Sequence, residues 1–348
     1  MNSGSSSIKR HHTLRTVVIA TGRRGQSQRG LTLIELLVAL AISTVITIAA
    51  FSALIISRQG FTATDVASQL RDNSRFATDL LQRLGVQAGY ISDTHNTRQP
   101  LINAPTPNPS VTGFNSALIS STDPQNQFIA RPAASADGSD ILILRYQPSE
   151  TFPASGVVDS SMVNCVGNPA NAAAASPADW VVNIIHIANN AVDGEPSLMC
   201  TVIDSLGTQG VQPIIRGVET FQVLYGVNGV ALAGEPPATP NTQNVATRYL
   251  RADQMVVAGN QFATNNNWRR VRSLKIGMVI RGPAGSAAEQ SDLTYFPLGA
   301  GPAAAGGSAG SSTATANDLG SAFRPGNDTR LRQVVNFTIH LRNFQEPV

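Results

Sequence analysis

Aromatic side chains are scarce, at 5% of 348 residues, and small and polar residues take their place, so long loops are expected. Acidic residues are missing from the first 30 positions, which hold Lys9, Arg10, Arg15, Arg23, Arg24 and Arg29. Setting those six aside leaves 19 of the 25 basic residues against 22 acidic ones, so the formal charge of +3 belongs to the N-terminus. A general nucleic-acid binder keeps its positive charge in the folded part; this chain does not. No internal repeat is present. The histidines lack metal-ligand spacing: His11 and His12 sit in the basic N-terminus, while His95, His186 and His340 are isolated. Gly306-Gly307-Ser308-Ala309-Gly310 has the spacing of a nucleophile elbow without the strand before it and the helix after it that this chemistry requires. Asp137-Gly138-Ser139-Asp140 lacks the spaced acids and closing glutamate of a calcium loop and reads as a turn before a strand. No catalytic residue, metal site or cofactor is expected. Only two cysteines occur, Cys165 and Cys200.

One long apolar run is present. Leu31 to Ile56 is 26 residues with a single charge, Glu35. About 20 apolar residues cross a bilayer as a helix, and basic residues close before the run place its N-terminus on the cytoplasmic side. An ordinary secretory signal is the alternative, but its apolar core is about 7–15 residues and ends at a small-residue cleavage site. Arg23-Arg24 is followed by Gly25-Gln26-Ser27, not by the residues of a twin-arginine signal. A carboxylate in hydrocarbon costs about 2.5–3.5 kcal/mol even on lenient scales, so Glu35 is either paired and functional or protonated near the membrane edge.

Arg29-Gly30-Leu31-Thr32-Leu33-Ile34-Glu35-Leu36-Leu37-Val38-Ala39-Leu40 resembles the type IV prepilin motif. The resemblance implies that a prepilin peptidase cuts between Gly30 and Leu31, that Leu31 is then N-methylated, and that Glu35 meets the terminal amine of a neighbouring subunit during assembly. Leu31 stands where phenylalanine is commoner. Pairing of a buried amine with a buried carboxylate offsets part of the hydration each loses.

Beyond the apolar run, Phe61, Val66, Leu70, Phe76, Leu80, Leu81 and Leu84 recur among Arg58, Asp65, Arg71, Asp72, Arg75, Asp79 and Arg83, which predicts a continuing amphipathic helix to about residue 89, with Gly85 and Gly89 as stop positions. Residues 90–138 read as loops with short strands. Asp140–Tyr146 reads as a strand buried on both faces. Val181–Ile187 is a further strand. Phe221–Tyr225 and Val227–Val230 suggest a hairpin turning on Asn228-Gly229. Leu274, Ile276, Met278 and Ile280 alternate with polar or small neighbours, as do Val335, Phe337, Ile339 and Leu341. Asn168–Ala178 and Gly301–Ala322 are low-complexity loops. The order predicts an α+β fold: a long N-terminal helix, transmembrane over 31–56 and then amphipathic to 89, packed on an antiparallel β-sheet head over 90–348, behind a leader of residues 1–30 that is removed.

Patches such as Asn73-Ser74-Arg75-Phe76-Ala77, Gly217-Val218-Glu219-Thr220-Phe221-Gln222 and Val271-Arg272-Ser273-Leu274-Lys275-Ile276 make the chain similar to the PilW family of minor pilins. That resemblance implies a structural protein, not an enzyme, that helps prime or join the tip of a type IV pilus. Its partners would be the prepilin peptidase, other minor and major pilins met through the helix, the inner-membrane assembly platform and the lipid bilayer. A pilus-tip adhesin and a type II secretion pseudopilin are the alternatives. A single inner-membrane span with a periplasmic head puts Cys165 and Cys200 in an oxidising compartment, where a disulfide is expected and two buried free thiols are the alternative. Arg269, Arg270, Arg272 and Lys275, beside Trp268, read as a solvated strand edge, with a partner contact or a nucleic-acid contact as alternatives.

Overall fold

The computed structural model describes residues 30–95, 108–131, 138–204, 207–287, 293–299 and 322–343. Residues 1–29 of the basic N-terminal segment and the Gly306–Gly310 motif lie outside these residues. The chain divides into two compact units, one ending at Ile56 and one beginning at Ser57.

The first unit holds the apolar part of helix α1, which runs Leu33–Gln87. This stretch is long and apolar enough to cross a membrane, and its leucines, isoleucines and valines are exposed. Its hydroxyl residues turn back on the helix: Ser43 donates to the Ala39 carbonyl at 2.7 Å, Thr47 to Ser43 at 2.7 Å and Ser52 to Ile48 at 2.9 Å. Hydroxyls satisfied in this way need no water, as a lipid environment demands.

The second unit is built on the rest of α1. Val66, Leu70, Ala77, Leu81 and Leu84 recur at helical spacing and are buried. Gly85 lies inside the helix, not at its end: a Cβ there would meet the Ile339 side chain at 2.7 Å, so the small residue lets a strand approach. The stop is Gly89, at φ +80°, where any side chain would collide with the Asn343 carbonyl. Its N–H donates to Arg145 at 2.8 Å, and Asn343 returns a bond to the Val86 carbonyl at 3.0 Å.

Two antiparallel sheets share this helix. The five-stranded sheet has the order β1-β4-β5-β6-β7, with β1 Val111–Phe114, β4 Ile141–Tyr146, β5 Val181–Asn189, β6 Pro196–Ile203 and β7 Gln209–Arg216. The four-stranded sheet has the order β11-β10-β8-β9, with β8 Val218–Val227, β9 Arg248–Leu250, β10 Val271–Arg281 and β11 Arg332–His340. Strands β2 Ala117–Ile119 and β3 Phe128–Ala130 pair separately, and a short helix, α2, covers Gln261–Arg269. One core joins α1 to both sheets. A second core, made of Ala117, Ile141, Ile143, Trp180, Val182 and Ile184, lies on the far face of the five-stranded sheet. This explains the unbroken apolar run of β4: Leu142, Leu144 and Tyr146 face the first core while Ile141 and Ile143 face the second.

Polar groups fix the seam between the sheets. The chain crosses from β7 to β8 at Gly217, whose N–H donates to the Pro196 carbonyl and whose carbonyl accepts from Arg281, both at 2.7 Å. Around it, Arg281 pairs with Glu195 at 2.8 Å and Glu219 at 2.9 Å, Arg332 with Glu219 at 2.6 Å and Asp328 at 2.7 Å, and Arg330 with Glu195 at 3.1 Å. These arginines hold Glu195 and Asp328 below the usual carboxylate range. Nearby, the turn before β4 is a staple: one oxygen of the Asp140 carboxylate accepts the Ser116 N–H at 2.9 Å and the other the Val223 N–H at 2.8 Å.

Two expectations are corrected. Asn228-Gly229 does not close a tight hairpin. The chain instead leaves β8 for a long loop before β9, and Asn228 holds it from within by accepting the Asn241 N–H at 2.8 Å and donating to the Asn241 carbonyl at 3.1 Å. The basic cluster is not a solvated edge either, because β10 is an inner strand. Arg269 and Arg272 are buried, Arg272 donates to Asn244 at 2.6 Å and Arg270 to the Gly229 carbonyl at 3.1 Å, so these side chains anchor the same loop.

The two kinds of ion pair separate by burial. The Arg332 side chain is 1% exposed and that of Glu219 8%, whereas Arg248 and Glu235 are each 40% exposed. Removing one member of a buried pair strands its partner, while an exposed pair contributes about 0–1 kcal/mol. Glu219→Ala is therefore expected to lower unfolding stability by about 3 kcal/mol, and Glu235→Ala to leave it nearly unchanged, as read by urea denaturation. Equal effects of the two substitutions would contradict this division.

Candidate functional site

The start of α1 is set by a reciprocal pair of hydrogen bonds. Thr32 is the last residue before the helix, and its hydroxyl accepts the Glu35 N–H at 3.4 Å. Glu35 reaches back, its Oε2 accepting the Thr32 N–H at 2.9 Å and the Thr32 hydroxyl at 3.0 Å. This is a capping box, in which a hydroxyl residue and a glutamate three places later satisfy two amides that the helix leaves without partners. Glu35 thus has a local task in the isolated chain, and its Oε1 bonds to no described group. The signal for the pairing is in the sequence, as the spacing Thr32-Leu33-Ile34-Glu35, but Glu35 read as one charge in an apolar run does not reveal Thr32 as its partner.

Gly30 stands just before this cap, and a Cβ built on it meets nothing within 4 Å. Among the described residues, neither packing nor a left-handed backbone requires glycine there. Leu31, next to it, is 79% exposed.

The second unit holds the cysteines. Cys200 lies in the middle of β6 and Cys165 in the loop before β5, and the two form a disulfide with their Cα atoms 6.0 Å apart. The loop is docked independently of the bridge: the Cys165 N–H donates to the Asn183 side chain at 2.7 Å and the Val163 N–H to Gln87 at 3.0 Å. Among the described residues no group of three or more His, Cys, Asp or Glu could hold a metal ion. His95 bonds the Ala174 carbonyl at 2.8 Å, and His340 is exposed on β11. A groove of about 490 Å³ lies between α1 and the seam, lined by Val66, Leu70, Phe76, Ile214, Arg216 and Arg330, but its arginines are already paired with Asp193 and Glu195.

Against this geometry, residues 25–51 match the prokaryotic N-terminal methylation motif, and residues 185–343 match the family described as Type IV Pilus-assembly protein W. No curated protein matches the chain by sequence. Among solved structures, a type IV-like pilin from Thermus thermophilus aligns at 12% identity with a TM-score of 0.38, over 80% of this chain and 98% of that one.

His186 makes the head sensitive to acid. It is 3% exposed, with Nε2 3.0 Å from the Thr201 hydroxyl, and burial pushes its pKa from the ordinary 6.5 down to about 4. Between those two values the unfolded chain binds a proton that the folded chain refuses, so stability falls as pH drops through this window and levels off below it. The loss is up to about 3 kcal/mol at about 1.4 kcal/mol per pH unit. Denaturation midpoints measured from neutral pH to about pH 4 should show this slope and should show it reduced in His186→Gln. An unchanged slope in that variant would remove His186 from the account.

Proposed function

With a type IV pilus-assembly protein W domain in its head and the prokaryotic N-terminal methylation motif at its helix, the chain is a minor pilin-like protein of type IV pilus assembly, and we propose that it acts at the priming or tip stage of that assembly. The role is structural and non-covalent. On this reading the leader, residues 1–30, is removed by a prepilin peptidase between Gly30 and Leu31, and Leu31 becomes the methylated N-terminus. Residues 31–56 anchor the chain in the inner membrane with the head in the periplasm. The subunit then enters the pilus by docking its helix against those of other pilins.

The observation that carries the reading is the junction of an unconstrained glycine with a capped, exposed apolar helix. Gly30 packs against none of the described residues, which suits a peptidase that must close on the backbone at that point. Glu35 keeps one oxygen on Thr32 while Oε1 bonds to no described residue, so the same carboxylate can accept a neighbour's terminal amine. In hydrocarbon that pair offsets part of the cost of burying each charge and sets the axial register of the two helices.

Mass spectrometry of the membrane-bound form should find Leu31 as the first residue, with or without one added methyl group. A mature protein that still begins before Gly30 would end this reading. Glu35→Ala should be cleaved normally yet enter pili poorly, because its expected task is pairing with another subunit rather than serving the peptidase. Normal incorporation of that variant would count against the assembly role of Glu35. Deleting the gene should remove surface pili; retained pili with lost adhesion would favour a tip adhesin, and retained pili with lost secretion a pseudopilin.

A further inference from the structure

Four strands lie at the edges of the two principal sheets, and three of them are blunted. β1 and β9 are only four and three residues long. β7 carries Pro213, which has no N–H, beside a register shift opposite Leu198 and Met199. Short length, proline and irregular register are devices by which folded proteins keep an edge from pairing with other chains. β11 has none of them. It is nine residues long, pairs with β10 without a register shift, and contains neither proline nor lysine.

The hydrogen-bond parity of β11 follows from its two ends. The Leu341 N–H donates to the Arg272 carbonyl at 2.9 Å and the Leu331 carbonyl accepts the Gly282 N–H at 2.8 Å. Alternation along an antiparallel strand then directs the backbone groups of Gln333, Val335, Phe337 and Ile339 to β10. Those of Val334, Asn336, Thr338 and His340 point to the open side, and no described strand takes them up. The core is open at the same place: Val335 and Phe337 pack against it but are only partly buried. Along the described strand, charge has one sign. Residues 331–343 contain no Asp or Glu, His340 and Arg342 are exposed, and Lys275 lies beside them on β10 opposite Thr338. Arg332, at the other end, is neutralised by Glu219 and Asp328.

We propose that the open edge of β11 is a strand-addition site for an extended segment of a partner polypeptide, apolar on its core-facing side and acidic where it passes His340, Arg342 and Lys275. Backbone bonds to the four outward residues supply the affinity. The half-covered Val335 and Phe337 and the basic end supply the side-chain preference. None of these groups lies on α1, so the site stands whether or not the pilin reading holds.

The test uses the full chain in detergent micelles and a fluorescent nine-residue peptide of alternating valine and glutamate. Saturable binding is expected by fluorescence anisotropy, together with slower amide exchange over residues 334–340 and weaker binding as salt rises. Asn336→Pro deletes an N–H on the open side and leaves the bonds to β10 in place; it should weaken binding at least tenfold with an unchanged thermal melt. If that variant unfolds, Thr338→Asp decides, because it places a carboxylate against the acidic peptide and should weaken binding similarly. The proposal is overturned by absence of binding, by equal binding of a valine–lysine peptide or of the same residues in non-alternating order, or by a folded variant that binds like the parent.

Discussion

The stripe formed by Val66, Leu70, Ala77, Leu81 and Leu84 on α1, continued by Ala88 just past its end, is the surface that both principal sheets of the head share. An antiparallel sheet of this kind has one face to bury, and two such faces need a common partner to make one core. The helix supplies it. Substituting Gly85 with any larger residue would push away Ile339 and with it the end of β11, while Gly89 ends the helix where the chain must turn to meet β4. The geometry of the head is therefore written on one side of a helix whose first half is apolar all round and exposed.

With apolar contact in place, polar groups decide how the sheets meet. The chain passes between them at Gly217, and the carboxylates of Glu195 and Glu219 are shared among Arg281, Arg330 and Arg332. Asp140 adds two backbone bonds that tie the start of β4 to β8 at Val223 and to the turn after β1 at Ser116. Buried charges of this kind give little net stability, because desolvation consumes much of the Coulomb gain. What they add here is direction: a displaced sheet would leave arginines without carboxylates.

Much of this is legible in the sequence where one physical cause acts alone. The helix shows because its buried stripe has helical spacing, β4 because both its faces are covered, and β11 because one face is buried and the other wet. Other elements hide for stated reasons. β6 mixes Ser197, Cys200 and Thr201 among its apolar residues, all buried, so it has neither a continuous run nor a clean alternation. β7 exposes most of its residues and contains proline. α2 is rich in asparagine, a weak helix former, and depends on the Asn260 cap and on Trp268, which is buried and packed edge-on against Tyr225. Arg269 and Arg272 mislead because a sequence does not show that loops will fold over them. At the N-terminus the motif singles out Gly30 and Glu35, while Thr32 emerges as the partner of Glu35 only from the hydrogen bonds.

The capping box has an electrostatic consequence for a chain cut at Gly30. A helix N-terminus already carries a partial positive charge from its aligned peptide dipoles. Cleavage would place a full ammonium group two residues before the first helical turn, in a medium that screens poorly. The only carboxylate in that unit is Glu35, and it is half engaged with Thr32. A subunit cut as proposed would thus be left with surplus positive charge at one end and a partly used negative charge one turn further in. Two such subunits displaced along their axes can neutralise each other, which neither can do by itself. On the same reading, an uncut N-terminal segment would delay the appearance of that ammonium group, and with it this pairing, until the moment of cutting.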